Sequence, residues 1–209
     1  MIGLKRGTVK LLPHNPKWTE AFEKEKEVLS KALNGLVVDI QHIGSTSIPG
    51  IPAKPIIDIS IGIKTMKNSK DFIKIFEDIG YEYRPDFGGP TIQLLFVKGP
   101  EEKRTHYIHL MKYNGSIWIN DLAFRDYLRK NKDRAEQYAN LKKKLAANFA
   151  NDRTKYTASK ANFILETVRI AKNGKATQKY QYVDDVIIGK GKLAGKGVFM
   201  LIETSKKAK

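Results

Sequence analysis

The chain of 209 residues is long enough to bury one sizeable hydrophobic core, and its 41% hydrophobic and 29% charged residues are typical of a soluble globular protein. It contains no cysteine, which excludes disulfides, thiolate metal ligands and cysteine nucleophiles. Its apolar runs are too short for a transmembrane helix, and its first residues lack the apolar core of a signal peptide. We therefore expect a cytoplasmic protein that does not insert into membranes.

The formal net charge of +16 favours phosphate-rich partners: a nucleotide, nucleic acid or an anionic surface. Nine lysines against three acidic residues from residue 172 onward account for +6 of this charge. The excess over the rest of the chain consists mostly of lysine, which is also typical of a solvated surface. Net charge alone therefore gives nucleic acid only weak support as a partner.

The N-terminal part of the chain predicts alternating strands and helices. Up to residue 63, the pattern predicts a short strand over 9–12, a helix that begins after Asn15 and ends at Asn34-Gly35, and strands over 36–43 and 56–63. After that, it predicts a helix from Ser69 to Gly80, a short strand over 81–84, a turn over 85–90, and strands over 91–98 and 105–112. This order predicts an α/β fold in which a mixed β-sheet carries helices on one face.

From Trp118 onward the sequence predicts only helices. The apolar spacing indicates three of them, around residues 122–128, 138–149 and 156–168, with Asp152 as a cap of the last. We predict one domain over residues 1–171, with a sheet half to about residue 115 and a helical half after it. Residues 172–209, where glycines alternate with lysines, are predicted to form an appendage that contains a β-hairpin.

The stretch from Gln41 to Ile63 places a polar turn, a proline-stiffened loop and an acid-bearing apolar strand in direct succession. In the turn, Gly44-Ser45 lets an anion approach the backbone closely, and Thr46 and Ser47 add small hydroxyls. Asp58 lies in an apolar strand, where a carboxylate costs free energy unless something binds it. This stretch is therefore the candidate site.

Four blocks of sequence resemble a known family. They are His42-Ile-Gly-Ser-Thr-Ser-Ile-Pro-Gly, Ala53-Lys-Pro-Ile-Ile-Asp-Ile, Thr105-His-Tyr-Ile-His-Leu and Phe124-Arg-Asp-Tyr-Leu-Arg. In this order, over about residues 9–171 and with Pro13-x-x-Pro16-x-Trp18 ahead of them, they resemble the GrpB family, a branch of the nucleotidyltransferase superfamily. The resemblance implies that the turn binds the phosphates of a nucleoside triphosphate or another phosphorylated small molecule. It also implies that Asp58 holds Mg²⁺ while a nucleotidyl group is transferred to an acceptor.

Ser60 departs from the superfamily pattern, which has a second acid two residues after Asp58. Because alternate residues of a strand share a face, Asp58 and Ser60 are expected to point together while Ile57 and Ile59 point to the helices. A neutral hydroxyl contributes far less to binding a divalent cation than a carboxylate does. The second metal ligand must come from elsewhere, or the chain is a non-catalytic module that binds a nucleotide or another anion.

The block around residue 106 offers two further catalytic candidates, His106 and His109. On a regular strand they face opposite ways, so that only one of them shares a face with Asp58, and we favour His109 as a base or ligand. His106 remains the alternative.

Three basic residues are candidates for binding phosphate: Lys54, Arg104 and Arg125. Lys54 lies just before the acid-bearing strand, and each arginine lies in one of the family blocks. The alternative is that Lys54 is an ordinary exposed lysine and that the arginines pair with neighbouring carboxylates, Glu101 and Asp126.

Overall fold

The computed structural model describes residues 2–89 and 92–173, which form a five-stranded sheet and six α-helices. In chain order the elements are α1 (Lys17–Leu33), β1 (Asp39–Ile43), β2 (Ile57–Ile63), α2 (Phe72–Asp78), β3 (Tyr81–Gly89), β4 (Gln93–Lys98), β5 (His106–Lys112), α3 (Ser116–Lys130), α4 (Lys132–Asn148), α5 (Arg153–Ala158) and α6 (Ala161–Asn173). The predicted appendage and its hairpin lie outside the described residues. None of the described helices combines the length and the apolar character that crossing a bilayer requires.

The ends of several helices follow from local sequence as predicted. The Asn15 side chain accepts a hydrogen bond from the backbone N–H of Lys17 at the start of α1. Asn34 ends that helix in the left-handed conformation, with φ of 35°. At the start of α5, the side chain of Asp152 accepts a bond from the backbone N–H of Lys155.

The strands form one mixed sheet in the order β1-β2-β5-β4-β3, which confirms the predicted fold class. Strands β2 and β5 are parallel, and the other neighbouring pairs are antiparallel. In the β2–β5 register, Asp58 lies opposite Tyr107 and Ser60 lies opposite His109. These four residues therefore share one face of the sheet.

The other face of the sheet carries the main hydrophobic core. Four isoleucines of β2 are almost completely buried there: Ile57, Ile59, Ile61 and Ile63. They belong to one cluster with the apolar face of α1, including Trp18 and Leu29, and with Phe76 of α2. Because burying one such side chain contributes about 1.5–3 kcal/mol, this face fixes which residues of β2 point away from the core.

Three local predictions were wrong. The segment 9–12 is not a strand, since Leu12 makes only an isolated bridge to Ala53. Strand β3 continues to Gly89 through the predicted turn, because a register shift after Tyr83 accommodates Pro85 on an edge strand. The last predicted helix is divided into α5 and α6, since the Lys160 N–H bonds to the carbonyl three residues earlier, that of Thr157, rather than continuing the α-helical pattern.

A second hydrophobic cluster joins the loop between β1 and β2 to the helical half. Ile48 and Ile51 of the loop pack with residues of α3, α4 and α6, among them Phe124 and Tyr138. The fully buried Lys142 of α4 also donates a hydrogen bond to the Pro52 carbonyl. The loop that precedes Asp58 is therefore held by the helices.

We predict that Lys142→Met makes stability less dependent on pH. Burial, with a smaller contribution from the charge of Lys160, lowers the pKa of Lys142 to about 6 from 10.5. Between these values the unfolded state binds one more proton than the folded state, so the wild type gains stability as pH rises, by up to about 1.4 kcal/mol per unit. Urea unfolding from about pH 7 to about pH 9 should show a smaller gain for Lys142→Met.

The matched control is Lys143→Met, which removes an exposed lysine from the same helix. It should keep the pH dependence of the wild type. Equal pH dependence of Lys142→Met and Lys143→Met would show that Lys142 is charged in the folded protein.

Candidate functional site

Asp58 and His109 form the centre of the polar face of the sheet. They project from the neighbouring parallel strands β2 and β5, and the Nε2 atom of His109 lies 4.0 Å from Oδ1 of Asp58. Their side chains are 30% and 24% exposed for Asp58 and His109 respectively, so a ligand can reach both. Strand alternation thus brings His109 rather than His106 to Asp58, as the sequence predicts.

Gly44 lies directly against the carboxylate of Asp58. Its φ of 68° is in the left-handed region, and a Cβ added there would lie 2.5 Å from Oδ2 of Asp58. Only glycine tolerates both this conformation and this approach. The close packing explains why a glycine is needed at the start of the turn.

Asp121 of α3 provides a second carboxylate on this face. The hydroxyl of Ser60 donates a hydrogen bond to Oδ2 of Asp121, with a distance of 3.4 Å. Burial raises the pKa of Asp121 to about 6; His109 and Ser60 oppose this shift, and the charge of Asp58 adds to it. Asp58, Ser60, His109 and Asp121 therefore lie within electrostatic range of one another.

The sequence reasoning missed Asp121 because it lies 61 residues from Ser60, on a helix rather than on the sheet. The available signal was its position in α3, one turn before Arg125 of the family block. A carboxylate at that spacing shares a helix face with Arg125. It could have been proposed as the ligand that Ser60 does not provide.

Three basic side chains interact electrostatically with the Asp58 carboxylate: Lys54, Arg153 and Lys160. Burial raises the pKa of Asp58, but His109, then Lys54 and Arg153, outweigh burial and hold that pKa below its ordinary value. Burial lowers the pKa of Lys160 to about 8, and Asp58 opposes this shift. Asp58 is therefore ionised at neutral pH, beside several basic side chains.

Aromatic rings position these cations. Lys54 and Lys160 place their Nζ atoms 5.7 and 4.5 Å from the ring centre of Tyr156, which is 1% exposed. Arg153 lies 4.7 Å from the ring centre of Tyr107 and donates a hydrogen bond to its hydroxyl. Of the three cations, only Lys54 was predicted from the sequence, because Arg153 and Lys160 lie far along the chain among many other basic residues.

The hydroxyls of the predicted phosphate-binding turn have different environments. Thr46 and Ser47 are buried and donate hydrogen bonds within the loop, to the Ile56 carbonyl at 3.2 Å and the Gly44 carbonyl at 2.7 Å. Ser45 is half-buried and hydrogen-bonds with Tyr138 of α4. The turn therefore uses two of its three hydroxyls to hold its own shape.

The structure does not bring His106 or Arg104 to Asp58. His106 faces α1, where its Nε2 lies 4.0 Å from a carboxylate oxygen of Glu25. Arg104 donates hydrogen bonds of 2.6 Å to the Gly99 carbonyl and to Glu82. Glu82 takes the place that Glu101 was expected to have, since Glu101 lies 3.9 Å away.

Arg125 is also engaged outside the site. It donates to Asp126 at 2.7 Å, as the alternative reading of the sequence expects, and to the His42 carbonyl at 3.0 Å. Arg129, one turn further along α3, donates twice to the Ser47 carbonyl, at 2.9 and 2.7 Å. These two arginines hold the backbone on either side of the turn.

Within residues 2–89 and 92–173, no three His, Asp or Glu side chains are grouped closely enough to hold a metal ion. The site offers two carboxylates, Asp58 and Asp121, and the hydroxyl of Ser60. Mg²⁺ is commonly bound by one or two carboxylates together with the phosphates of a substrate. The residues present therefore suit Mg²⁺ that is shared with a phosphorylated ligand rather than Mg²⁺ held by the protein alone.

The family model, a curated relative and a solved structure give the same family description. The family described as GrpB protein matches residues 8–169. The chain is 37% identical over 169 residues to the glutamate-rich protein GrpB of Alkalihalophilus pseudofirmus, covering 79% of this chain and 97% of that protein. It is 36% identical to the UPF0157 protein YqkA of Bacillus subtilis, over 80% of this chain and 48% of that protein. The crystal structure of the conserved protein GrpB from Enterococcus faecalis has a TM-score of 0.70 at 36% identity, and the match covers 78% of this chain and 96% of that one.

We predict that Gly44→Ala destabilises the fold more than Gly50→Ala does. Both glycines have positive φ, of 68° and 80°, but a Cβ at Gly50 would meet nothing within 4 Å. Gly50→Ala should therefore cost only the backbone strain, about 1–2 kcal/mol. Gly44→Ala adds the collision with Asp58, so chemical denaturation should show a further loss of about 1–3 kcal/mol.

The double variant Gly44→Ala with Asp58→Ala tests the cause. If the collision with the carboxylate is responsible, the two effects are not additive and the double variant recovers part of the loss. Strict additivity would contradict the packing of Asp58 on Gly44.

Proposed function

The chain belongs to the GrpB family, and we propose that it binds a nucleoside triphosphate together with Mg²⁺ and transfers the nucleotidyl group to an acceptor hydroxyl. The observation that carries this proposal is the convergence of Asp58 and Asp121, from a strand and a helix, next to three cations on one face of the sheet. It fits the nucleotidyltransferase frame that the sequence resembles, with Asp121 in the role expected of the second acid.

The basic side chains of the site favour a phosphorylated ligand. Lys54, Arg153 and Lys160 are held by aromatic rings within electrostatic range of the ionised carboxylate of Asp58. Phosphate oxygens accept charge-assisted hydrogen bonds from lysine and arginine, and these bonds are stronger than neutral ones. A ligand with several negative charges would relieve the repulsion among the three cations.

Asp58 and Asp121 are the residues that we propose to hold Mg²⁺. When bound with the substrate, Mg²⁺ supplies charge neutralisation at the phosphates during in-line attack. The neighbouring cations oppose binding of Mg²⁺ by itself, because they add positive charge around Asp58. We therefore propose that Mg²⁺ enters only as a complex with the nucleotide.

The transfer step needs a group that accepts the proton of the acceptor hydroxyl. We propose His109, which is partly exposed and whose Nε2 lies 4.0 Å from Oδ1 of Asp58. In this step the acceptor oxygen forms a bond to the α-phosphorus, the bond to the bridging oxygen breaks, and pyrophosphate leaves. The proton moves from the hydroxyl to His109.

The second candidate function is binding of a nucleotide or another anion without catalysis. Two observations favour it: Ser60 stands where a second strand acid is expected, and cations already compensate Asp58. A transfer assay with α-labelled nucleoside triphosphate separates the two functions. Labelled product would exclude the non-catalytic module, and tight nucleotide binding without product would favour it.

Nucleic acid is a weaker candidate partner. Of the basic residues in the helical half, Arg153 and Lys160 face the Asp58 site, while Arg125 and Arg129 bind the loop between β1 and β2. Arg134 pairs with Glu166 at 2.8 Å. These side chains are therefore committed elsewhere and do not form one exposed stripe for a nucleic-acid backbone.

We predict that a nucleoside triphosphate with Mg²⁺ raises the melting temperature, by about 5 °C or more at a concentration about 100-fold above Kd. Mg²⁺ alone should give no shift. Asp58→Ala and Asp121→Asn should each remove the part of the shift that depends on Mg²⁺, because each removes a proposed ligand of the complex. Differential scanning fluorimetry measures all of these effects.

Asp78→Asn is the matched control, since Asp78 is exposed and pairs with Lys74 on the surface of α2. It should retain the full shift. The proposal would be overturned if no nucleoside triphosphate shifted the wild type, or if Asp58→Ala and Asp78→Asn responded alike.

A further inference from the structure

We propose that Lys54, Arg153 and Lys160 together form a polyphosphate clamp, which binds the β- and γ-phosphates of the substrate in place of the turn at Gly44–Ser47. The inference rests on the proposed function and names the part of the site that recognises the leaving group. It assigns a ligand class to this cluster: inorganic pyrophosphate and longer polyphosphates, with or without an attached nucleoside.

The turn is poorly suited to the outer phosphates. The Asp58 carboxylate lies so close to Gly44 that it blocks one approach to the turn backbone. The hydroxyls of Thr46 and Ser47 are buried and already donate to carbonyl groups. An anion at this turn would meet a negative charge and only one hydroxyl at the site, that of Ser45.

The clamp residues have no ion pair of their own. Among the described residues, none of the three cations has a carboxylate oxygen within 4.0 Å. Elsewhere in the fold, most paired lysines and arginines lie closer than this to their carboxylate partners. They also repel one another. Burial is the largest cause of the lowered pKa of Lys54, and the charges of Arg153 and Lys160 lower it further. Gathering like charges in this way costs free energy, and a bound polyanion would offset that cost.

The clamp is also held in place before any ligand binds. Lys54 and Lys160 contact the same buried ring, that of Tyr156, and Arg153 contacts the ring and hydroxyl of Tyr107. The rings restrict the side chains without neutralising them. A site arranged in this way loses less conformational entropy on binding than three freely moving side chains would.

The placement of the three side chains indicates which anion binds best. They lie at two different rings, Tyr156 and Tyr107, so the two phosphate groups of pyrophosphate can accept charge-assisted hydrogen bonds from more of them than a single phosphate group can. We expect pyrophosphate to bind at least about tenfold more tightly than inorganic phosphate, a difference of about 1.4 kcal/mol.

Isothermal titration calorimetry of the full chain with pyrophosphate, in the absence of Mg²⁺ and nucleoside, tests the clamp. Arg153→Gln and Lys160→Gln should each weaken binding by about tenfold or more, because each removes one charge-assisted contact. Lys143→Gln removes an equal charge from the exposed face of α4 and should bind as the wild type does. Ser45→Ala should also retain the affinity, since the turn is not the pyrophosphate site.

Arg153→Lys keeps the charge and tests whether a loss of affinity in Arg153→Gln comes from the missing charge rather than from misfolding. It should recover most of the affinity that Arg153→Gln loses, and thermal melts confirm that each variant is folded. The clamp is overturned if the wild type does not bind pyrophosphate, if the clamp variants bind as tightly as Lys143→Gln, or if Ser45→Ala carries the loss instead.

The result also separates this inference from the proposed function. If pyrophosphate binds through the clamp and no nucleotidyl transfer is detected, the clamp stands and the transfer proposal fails. If transfer is detected and the clamp variants keep full affinity for pyrophosphate, transfer stands and the clamp fails.

Discussion

Strand β2 imposes the constraint on which the rest of the structure depends. Its alternate residues Ile57, Ile59, Ile61 and Ile63 are buried against α1 and α2, so a shift of the strand by one residue would expose all of them. The same alternation fixes Asp58 and Ser60 on the opposite face. The position of the site is therefore set by the hydrophobic core rather than by any contact within the site.

The charges of the site are balanced only in part by the protein. Asp58 favours the charged forms of both Lys54 and Lys160, and His109 lies beside it. Burial lowers the pKa of both lysines, so the fold bears the cost of keeping them near Asp58. Ion pairs elsewhere in the fold differ, because each charge has a direct partner. Arg104 and Glu82, for example, lie 2.6 Å apart. The contrast is the physical reason to regard the Asp58 region as a binding site.

Local sequence patterns predicted the structural features that depend on residues close in the chain. They missed the contacts between residues that are distant in the chain. Helix ends at Asn34 and Asp152, the mixed sheet and the shared face of Asp58 and His109 all follow from spacing and capping. Arg153 and Lys160 could not be found in this way, because their relation to Asp58 arises from helix packing across many residues. Asp121 had only its spacing to Arg125 as a local signal, and its contact with Ser60 also arises from helix packing. The path of β3 through Pro85 and the break before α6 were missed for a related reason, since both depend on backbone hydrogen bonds that have no strong sequence signal.

The helical half contributes Asp121 to the site, and the packing of α3 on the sheet determines where this carboxylate lies. A Cβ at Gly62 would lie 3.1 Å from the Trp118 ring and 2.9 Å from the Tyr113 ring, so glycine lets these rings pack on β2. Trp118 lies one turn before Asp121 on α3, and its burial against the strand sets how close that turn comes to Ser60. Because Asp121 lies on the helix and Asp58 on the strand, the relative position of the two carboxylates depends on contact between the two halves of the domain. A change that loosened Trp118 from Gly62 would separate Asp121 from Asp58 while leaving the sheet and its isoleucine core intact.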